Sequence, residues 1–195
     1  TNGFRVLWRG GLIGSSVIAP QISTKLAALS YFNKTLPESD NKLSRKLSVA
    51  FLSGFTDGFI FGPILAIQSY QQVQPDKSIY NSFLSIKKTN IVKYCYPLAL
   101  RNAFYTMPVF GLLYPTQEYL FKKENKPISR HLLEIFLISS FLNIPGTLLC
   151  SPYDVIRAEQ VTLLSKNQNN SVFQVIKNIW SKNKLSGFYR GYTAL

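Results

Sequence analysis

Residues 132–157 read LLEIFLISSFLNIPGTLLCSPYDVIR, an apolar run that ends on an acid and a base. The apolar part, Leu132 to Tyr153, has the roughly twenty residues that a helix needs to cross the hydrocarbon core of a bilayer. A charge at that depth is costly unless it is paired, so Asp154 and Arg157 are the first candidate functional residues. The segment therefore predicts a membrane helix with a polar site near its end.

Three further stretches share this composition and carry at most one or two ionisable groups each. They are Gly11 to Phe32, Leu47 to Ile67 and Tyr94 to Thr116. Several contain interior prolines, which membrane helices tolerate better than soluble ones because neighbouring groups recover the freed carbonyls. The chain is thus predicted to be an all-α membrane protein with about four full transmembrane helices. A soluble, basic, all-helical domain with long buried helices is the alternative.

The charge of the chain predicts an anionic partner, since 22 Lys and Arg residues outnumber 9 Asp and Glu and give a formal charge of +13. Anionic lipid and nucleic acid are the two candidates. Hydropathy favours lipid, and the cations are spread over every loop rather than gathered with aromatics on one face, so no nucleic-acid partner is expected. His131 is the only histidine and has no acid or thiol placed near it by sequence, so no catalytic residues, metal site or cofactor are predicted.

An internal repeat runs through the chain. The tripeptide Trp8-Arg9-Gly10 recurs as Tyr189-Arg190-Gly191, 181 positions later, and Gly187 precedes the second copy. Half of that interval is about ninety residues, the spacing of the proline pairs Pro20 with Pro108 and Pro63 with Pro152. The long connections after the second and fourth spans each carry an amphipathic stretch with lysines, which predicts short helices on the membrane surface.

These features together resemble the mitochondrial carrier family, which is built from three repeats of two transmembrane helices and one matrix helix. The odd-numbered helices of that family carry Pro-x-acid-x-x-base, and Pro152, Asp154 and Arg157, followed by Gln160, match it in full. The resemblance implies a multi-pass protein of the mitochondrial inner membrane that is not an enzyme. It divides the chain into the end of a first repeat (1–36), a second repeat (37–127) and a third repeat (128–195) that lacks most of its last helix.

In the family, the motif forms the matrix gate, a set of ion pairs between repeats that opens and closes the cavity. The equivalent stretch of the second repeat keeps Pro63 but has Leu65 at the acid position and Gln68 at the base position. The resemblance therefore implies that Asp154 and Arg157 lack ionic partners there. On the outer side, Gln117 and Glu118 are the remnant of a second gate that has lost its base.

The family also places substrate contacts about three residues before the prolines of the even-numbered helices, facing the cavity. Those positions hold Val17, Ile18, Tyr105 and Thr106, and Arg101, one turn before Tyr105, is a displaced anion site. The alternative for Arg101 is a snorkelling or lipid-facing charge near the helix start. Motifs such as those at positions 8–10 and 187–191 hold cardiolipin phosphate on helix N-termini, so bound cardiolipin is expected.

Two functions follow from this pattern. The first is a carrier fold whose gates have degenerated and which serves as a structural or accessory subunit of an inner-membrane complex of the respiratory-chain type, with other subunits as partners. The second is an active carrier that moves a small solute by alternating access. Loss of gate charges favours the first, while the complete motif at 152–157 and Glu118 favour the second.

Overall fold

The computed structural model describes residues 11–37, 41–74, 76–88, 92–121, 128–166, 168 and 171–190, and the described part of the chain is helical without strands. Its elements are α1 (Gly11–Thr35), α2 (Lys42–Val73), α3 (Ile79–Lys88), α4 (Val92–Phe121), α5 (Ile128–Ser165) and α6 (Val172–Asn183), followed by a 3₁₀ helix (Lys184–Tyr189). The predicted all-α class is therefore confirmed for these residues. Each predicted apolar span lies within one long helix, and the two amphipathic stretches form α3 and α6.

The helix ends follow from local sequence. Asn41 caps α2 because its side-chain oxygen accepts from the backbone N–H groups of Leu43 and Ser44, each at 3.2 Å. Ser171 and Gln174 form a reciprocal capping box that starts α6. Both caps satisfy backbone donors that the first helical turn leaves without intrahelical partners.

Helix α2 packs most closely against α4, and its glycines make that approach feasible. Gly54, Gly58 and Gly62 lie one turn apart on the face of α2 that meets α4. A Cβ at Gly58 would lie 2.6 Å from the Cα of Ala99 on α4, closer than two non-bonded carbon atoms can approach. Small residues at such spacing let two helix backbones come together, as they do in membrane helix pairs.

The remaining long helices are arranged around this pair, with α1 against α2 and α5 against α4. Aromatic rings fill the α4–α5 boundary, where Phe104 and Tyr153 stack with their centroids 5.3 Å apart. Phe51 of α2 meets the edge of Phe104 at 5.4 Å. Such ring pairs stabilise a boundary beyond the area that they bury.

The two short helices lie at the same end of the bundle. One apolar cluster of α2, α3, α4 and α5 joins Tyr70, Ile86, Tyr94 and Val161. A second cluster seats α6 on α5 through Ile156, Val175 and Ile179. The end of the bundle that carries the short α1–α2 connection is therefore the opposite one, and it is called the loop side below.

One helix within the described ranges, α2 (Lys42–Val73), is long and apolar enough to cross a membrane by itself. The prediction of four spans is therefore not confirmed, and the other three spans stay predictions. In α1, Gln21, Ser23, Thr24 and Lys25 interrupt the apolar residues and lower the hydropathy of the segment. The boundaries of the three predicted repeats also stay predictions.

Candidate functional site

A buried carboxylate joins three of the long helices. Asp57 of α2 has no exposed side-chain surface. Its Oδ2 accepts hydrogen bonds from Gln21 Nε2 of α1 at 3.1 Å and from Asn102 Nδ2 of α4 at 3.0 Å. Lys25 of α1 lies 3.5 Å from the same oxygen. The two charges that stood alone in their apolar spans are therefore paired with each other.

The hydrogen bonds continue from Asn102 to a second ion pair. Asn102 Oδ1 accepts from Arg101 Nη1 at 3.1 Å. Arg101 Nε lies 3.2 Å from Asp154 Oδ1, and the two side chains form a salt bridge between α4 and α5. Lys25, Asp57, Asn102, Arg101 and Asp154 thus form one connected set across α1, α2, α4 and α5, here named the interhelical network.

The network is electrically neutral, because it contains two cations and two carboxylates in alternation. Burying a charge is costly unless an opposite charge and hydrogen bonds replace its water. The second pair is less enclosed than the first, since 35% of the Arg101 side chain and 44% of the Asp154 side chain are exposed. The network therefore runs from a dry end at Asp57 to a more open end at Asp154.

The base of the Pro-x-acid-x-x-base motif makes a different contact. Arg157 Nη2 donates to the backbone carbonyl of Leu65 at 3.0 Å and to the hydroxyl of Ser69. Leu65 is the residue that stands where the second repeat was predicted to have lost its acid. Arg157 thus reaches that position but finds a carbonyl dipole instead of a carboxylate.

The other residues of the predicted matrix gate lie on the same two helices, α2 and α5. Gln68 and Pro63 lie on the same part of α2, and a cleft of about 260 Å³ is lined by Ser69, Asp154 and Arg157 among others. Gln160 is 3% exposed, and its Oε1 has no hydrogen-bond partner among the described residues. The motif residues are therefore brought together at the end of the bundle that carries the short helices.

The predicted substrate-contact residues do not share one open cavity. Val17 is buried, whereas 56% of the neighbouring Ile18 is exposed. Tyr105 donates its hydroxyl to Asn143 Oδ1 at 2.7 Å, and fully buried Thr106 donates to the Asn102 carbonyl at 2.6 Å. Arg101 lies over the Tyr105 ring, 5.6 Å from its centroid. Their role in substrate binding stays a prediction.

The remaining predicted sites fall partly outside the described residues. Trp8, Arg9, Gly10 and Gly191 lie outside them altogether, and Gln117 and Glu118 lie on α4 with side chains outside the described part. Gly187 is buried against Ile179, whose Cγ2 would lie 2.9 Å from an added Cβ. Tyr189 and Arg190 are exposed after it. The outer gate and the cardiolipin sites stay predictions.

Comparison with protein families identifies one part of the chain. The family model described as mitochondrial carrier protein matches residues 129–195. Residues 129–195 are therefore similar to that family. No curated protein and no solved structure gives a significant match. The predicted resemblance is thereby confirmed over α5, α6 and the 3₁₀ helix.

The matched segment contains the whole of the motif from Pro152 to Gln160. Members of that family are mitochondrial transporters. Arg101, which pairs with the motif acid Asp154, lies before the matched segment. The interhelical network therefore ties the matched segment to the preceding helices of the same chain.

Sequence reasoning found the charged members of the network but not their pairing. Lys25, Asp57 and Arg101 were recognisable as isolated charges in apolar spans. Charges at membrane depth need opposite partners, so the presence of both signs in these spans indicated pairing between helices. Gln21 and Asn102 carried no signal of their own. Amides are common in sequences of this composition, and their contribution depends on which face each helix turns toward Asp57.

Proposed function

We propose that the chain is a mitochondrial-carrier-fold protein of the inner membrane, with four membrane-spanning helices, that serves as a structural subunit of an inner-membrane complex. One observation carries this proposal. Asp154 pairs with Arg101 of α4, and Arg157 bonds to the Leu65 carbonyl, so α2 supplies no charge to either member of the motif. In a transporting carrier these two charges belong to the gate.

An ionic gate works because its two states differ in which charges are paired, and substrate binding supplies the free energy to exchange them. Here Leu65 and Gln68 give the α2 side of that gate no charge to exchange. The Arg101–Asp154 pair instead joins adjacent helices within the neutral interhelical network. This arrangement favours one packed state over alternation between two.

The experiment that tests the structural role is native electrophoresis of gently solubilised inner membranes, followed by mass spectrometry of the bands. We expect the chain to migrate with a large membrane complex, in a fixed ratio to its other subunits. A known carrier from the same membranes is the control, because it should migrate as a small particle. Migration of this chain beside the control would contradict the proposal.

Active transport of a small solute is the second candidate, and the exposure of the Arg101–Asp154 pair at the cleft beside Arg157 favours it. An anion that competes with Asp154 for Arg101 would couple binding to a change in the network. The test is uptake of labelled carboxylates and phosphates by liposomes that contain the purified chain. Under the structural role, uptake equals that of empty liposomes, and uptake that Arg101→Gln abolishes would support the transporter.

Cardiolipin bound to the aromatic-Arg-Gly motifs is part of the proposal. Arg190 is exposed three residues after buried Gly187, so its guanidinium is accessible to a phosphate at the end of the 3₁₀ helix. Native mass spectrometry should retain cardiolipin on the purified chain, and Arg190→Gln should weaken that retention. Unchanged retention would remove Arg190 from the site.

A further inference from the structure

A cleft lies between α2 and α5, at the end of the bundle opposite the loop side. Its volume is about 260 Å³, and every residue that lines it in the described part of the chain belongs to one of these two helices. The predicted substrate-contact residues on α1 and α4 do not line it, so it is separate from the space that those residues would face. Gln72 of α2 and Ala158 of α5 are exposed at its walls, so the cleft opens to the surface of the molecule.

Arg157 brings an uncompensated positive charge to this cleft. Its Nη2 donates to two neutral groups, the Leu65 carbonyl and the Ser69 hydroxyl. The motif acid Asp154 also lines the cleft but is already paired, because Arg101 Nε lies 3.2 Å from its Oδ1 and 3.4 Å from its Oδ2. Arg157 forms no salt bridge within the described residues. Since the interhelical network is neutral by itself, Arg157 is an extra cation beside it, and a charge at membrane depth is costly without a counter-charge.

The donors that face the cleft suit an oxyanion. Only Nη2 of Arg157 makes the contacts above, and Nε and Nη1 donate to no described residue. Neither of these two nitrogens is a buried atom, so they border the cleft that Arg157 lines. Gln72 adds an amide donor from the α2 wall. The hydroxyls of Ser69 and Thr162 already donate to carbonyls of their own helices at 2.9 Å, so the ligand contacts fall to the guanidinium and the amide.

We propose that this cleft binds a small oxyanion of the phosphate class, held by Arg157 and Gln72 in place of the carboxylate that position 65 lacks. Its volume of about 260 Å³ is below the roughly 300–1,000 Å³ of drug-sized ligand sites, so the cleft suits an ion rather than a nucleotide. The bound anion contacts α2 and α5 together and so stabilises the packing of the two helices. Because a lone charge is most costly at membrane depth, the site rests on the membrane location in the proposed function, and it is compatible with either role considered there.

The first test is thermal unfolding of the purified chain in detergent, in sodium phosphate and in sodium chloride of equal ionic strength. At about ten times its Kd, phosphate should raise Tm by roughly 3–6 °C over chloride. Arg157→Gln should abolish that rise, and Lys182→Gln, which removes an exposed cation outside the cleft, should keep it. A rise of equal size in all three proteins would overturn the site, because phosphate would then be responding to the overall charge of the chain.

Two adjacent glutamines of α2 allow a test that leaves Arg157 unchanged. Gln72→Glu places a carboxylate in the wall of the cleft, where it competes with phosphate for Arg157, and should abolish most of the rise in Tm. Gln71→Glu makes the same charge change outside the cleft lining and should leave the rise unchanged. Equal effects of the two substitutions would overturn the site.

Binding of radiolabelled inorganic phosphate to the unmodified chain supplies a measurement that depends on no variant. We expect saturable binding, and its absence would overturn the site. Competition by phosphatidic acid in mixed micelles would assign the site to a lipid headgroup, whereas competition by sulfate alone would assign it to a free ion. None of these measurements depends on whether the chain migrates with a complex or transports a solute, so failure of the site is distinguishable from failure of the proposed function.

Discussion

The Lys25–Asp57 pair gives the most decisive test of the interhelical network. The change is Lys25→Met, which keeps the length and apolar stem of the side chain but leaves Asp57 as an unpaired carboxylate with no exposed surface. At 3.5 Å and an effective dielectric constant of about 20, the lost attraction is about 5 kcal/mol. Breaking a buried pair by removing one partner costs about 3–5 kcal/mol in measured cases, which agrees with this figure.

The compensating double variant isolates the charge from the packing. Lys25→Met with Asp57→Asn removes both charges, and the Asn side-chain oxygen can still accept from Gln21 and Asn102. Replacing both members of a buried pair is often close to neutral, so the double variant should lie within about 1 kcal/mol of the wild type. We therefore expect Lys25→Met alone to lower the stability strongly and the added Asp57→Asn to restore it.

The assay uses the two buried thiols of the chain. Cys95 and Cys150 are each 3% exposed, so a thiol-reactive dye reports unfolding when the detergent-solubilised protein is heated. For a chain of this size, about 3–5 kcal/mol corresponds to a fall in Tm of roughly 10 °C. Lys34→Met, an exposed lysine on the same helix, is the control and should leave Tm unchanged. A Lys25→Met variant within about 2 °C of wild type would refute the pairing, since that shift is below 1 kcal/mol.

Three further predictions concern packing, the motif base and a helix cap, and the same thermal assay measures each. Gly58→Ala places a Cβ 2.6 Å from the α4 backbone and should lower the free energy of unfolding by about 1–3 kcal/mol. Gly146→Ala is the control and should be tolerated, because no neighbouring atom would lie nearer than 3.4 Å to the added Cβ. Leu65→Asp places a carboxylate near Arg157 and should stabilise the chain relative to Leu65→Asn, and an equal Tm for the two would show that the side chain at position 65 does not reach Arg157. Ser171→Ala removes the α6 N-cap and should lower the free energy of unfolding by about 1 kcal/mol. An unchanged Tm would mean that packing alone holds α6.

The helices could be predicted because their signals are local. A long apolar run, a proline period and an amphipathic stretch each depend on neighbouring residues, and the predicted spans fall within α1, α2, α4 and α5. The carrier motif was also readable, because its residues are close together in the sequence. The family match over residues 129–195 begins one residue after the predicted start of the third repeat.

The partners of the charged residues could not be predicted, because they depend on how each helix is rotated. Asp57 finds Lys25 on α1 and Asn102 on α4, and sequence distance says nothing about either contact. Comparison with the family motif directed attention to α2 as the source of partners for Asp154. The partner is Arg101 of α4, which the sequence had offered as a site for an anion.

The position of the charges relates the fold to the proposed role. In a carrier gate, opposite charges meet between helices that must separate, whereas the interhelical network places them between helices that already touch, at α1–α2 and α4–α5. Asn102 links the two ion pairs, because its side-chain amide donates to Asp57 and accepts from Arg101, so separation of either contact would expose a charge that the other contact cannot neutralise. The loss of charge at Leu65 and Gln68 and the pairing of Arg101 with Asp154 thus act in the same direction. Together they favour a carrier fold that stays in one packed state over one that alternates between two.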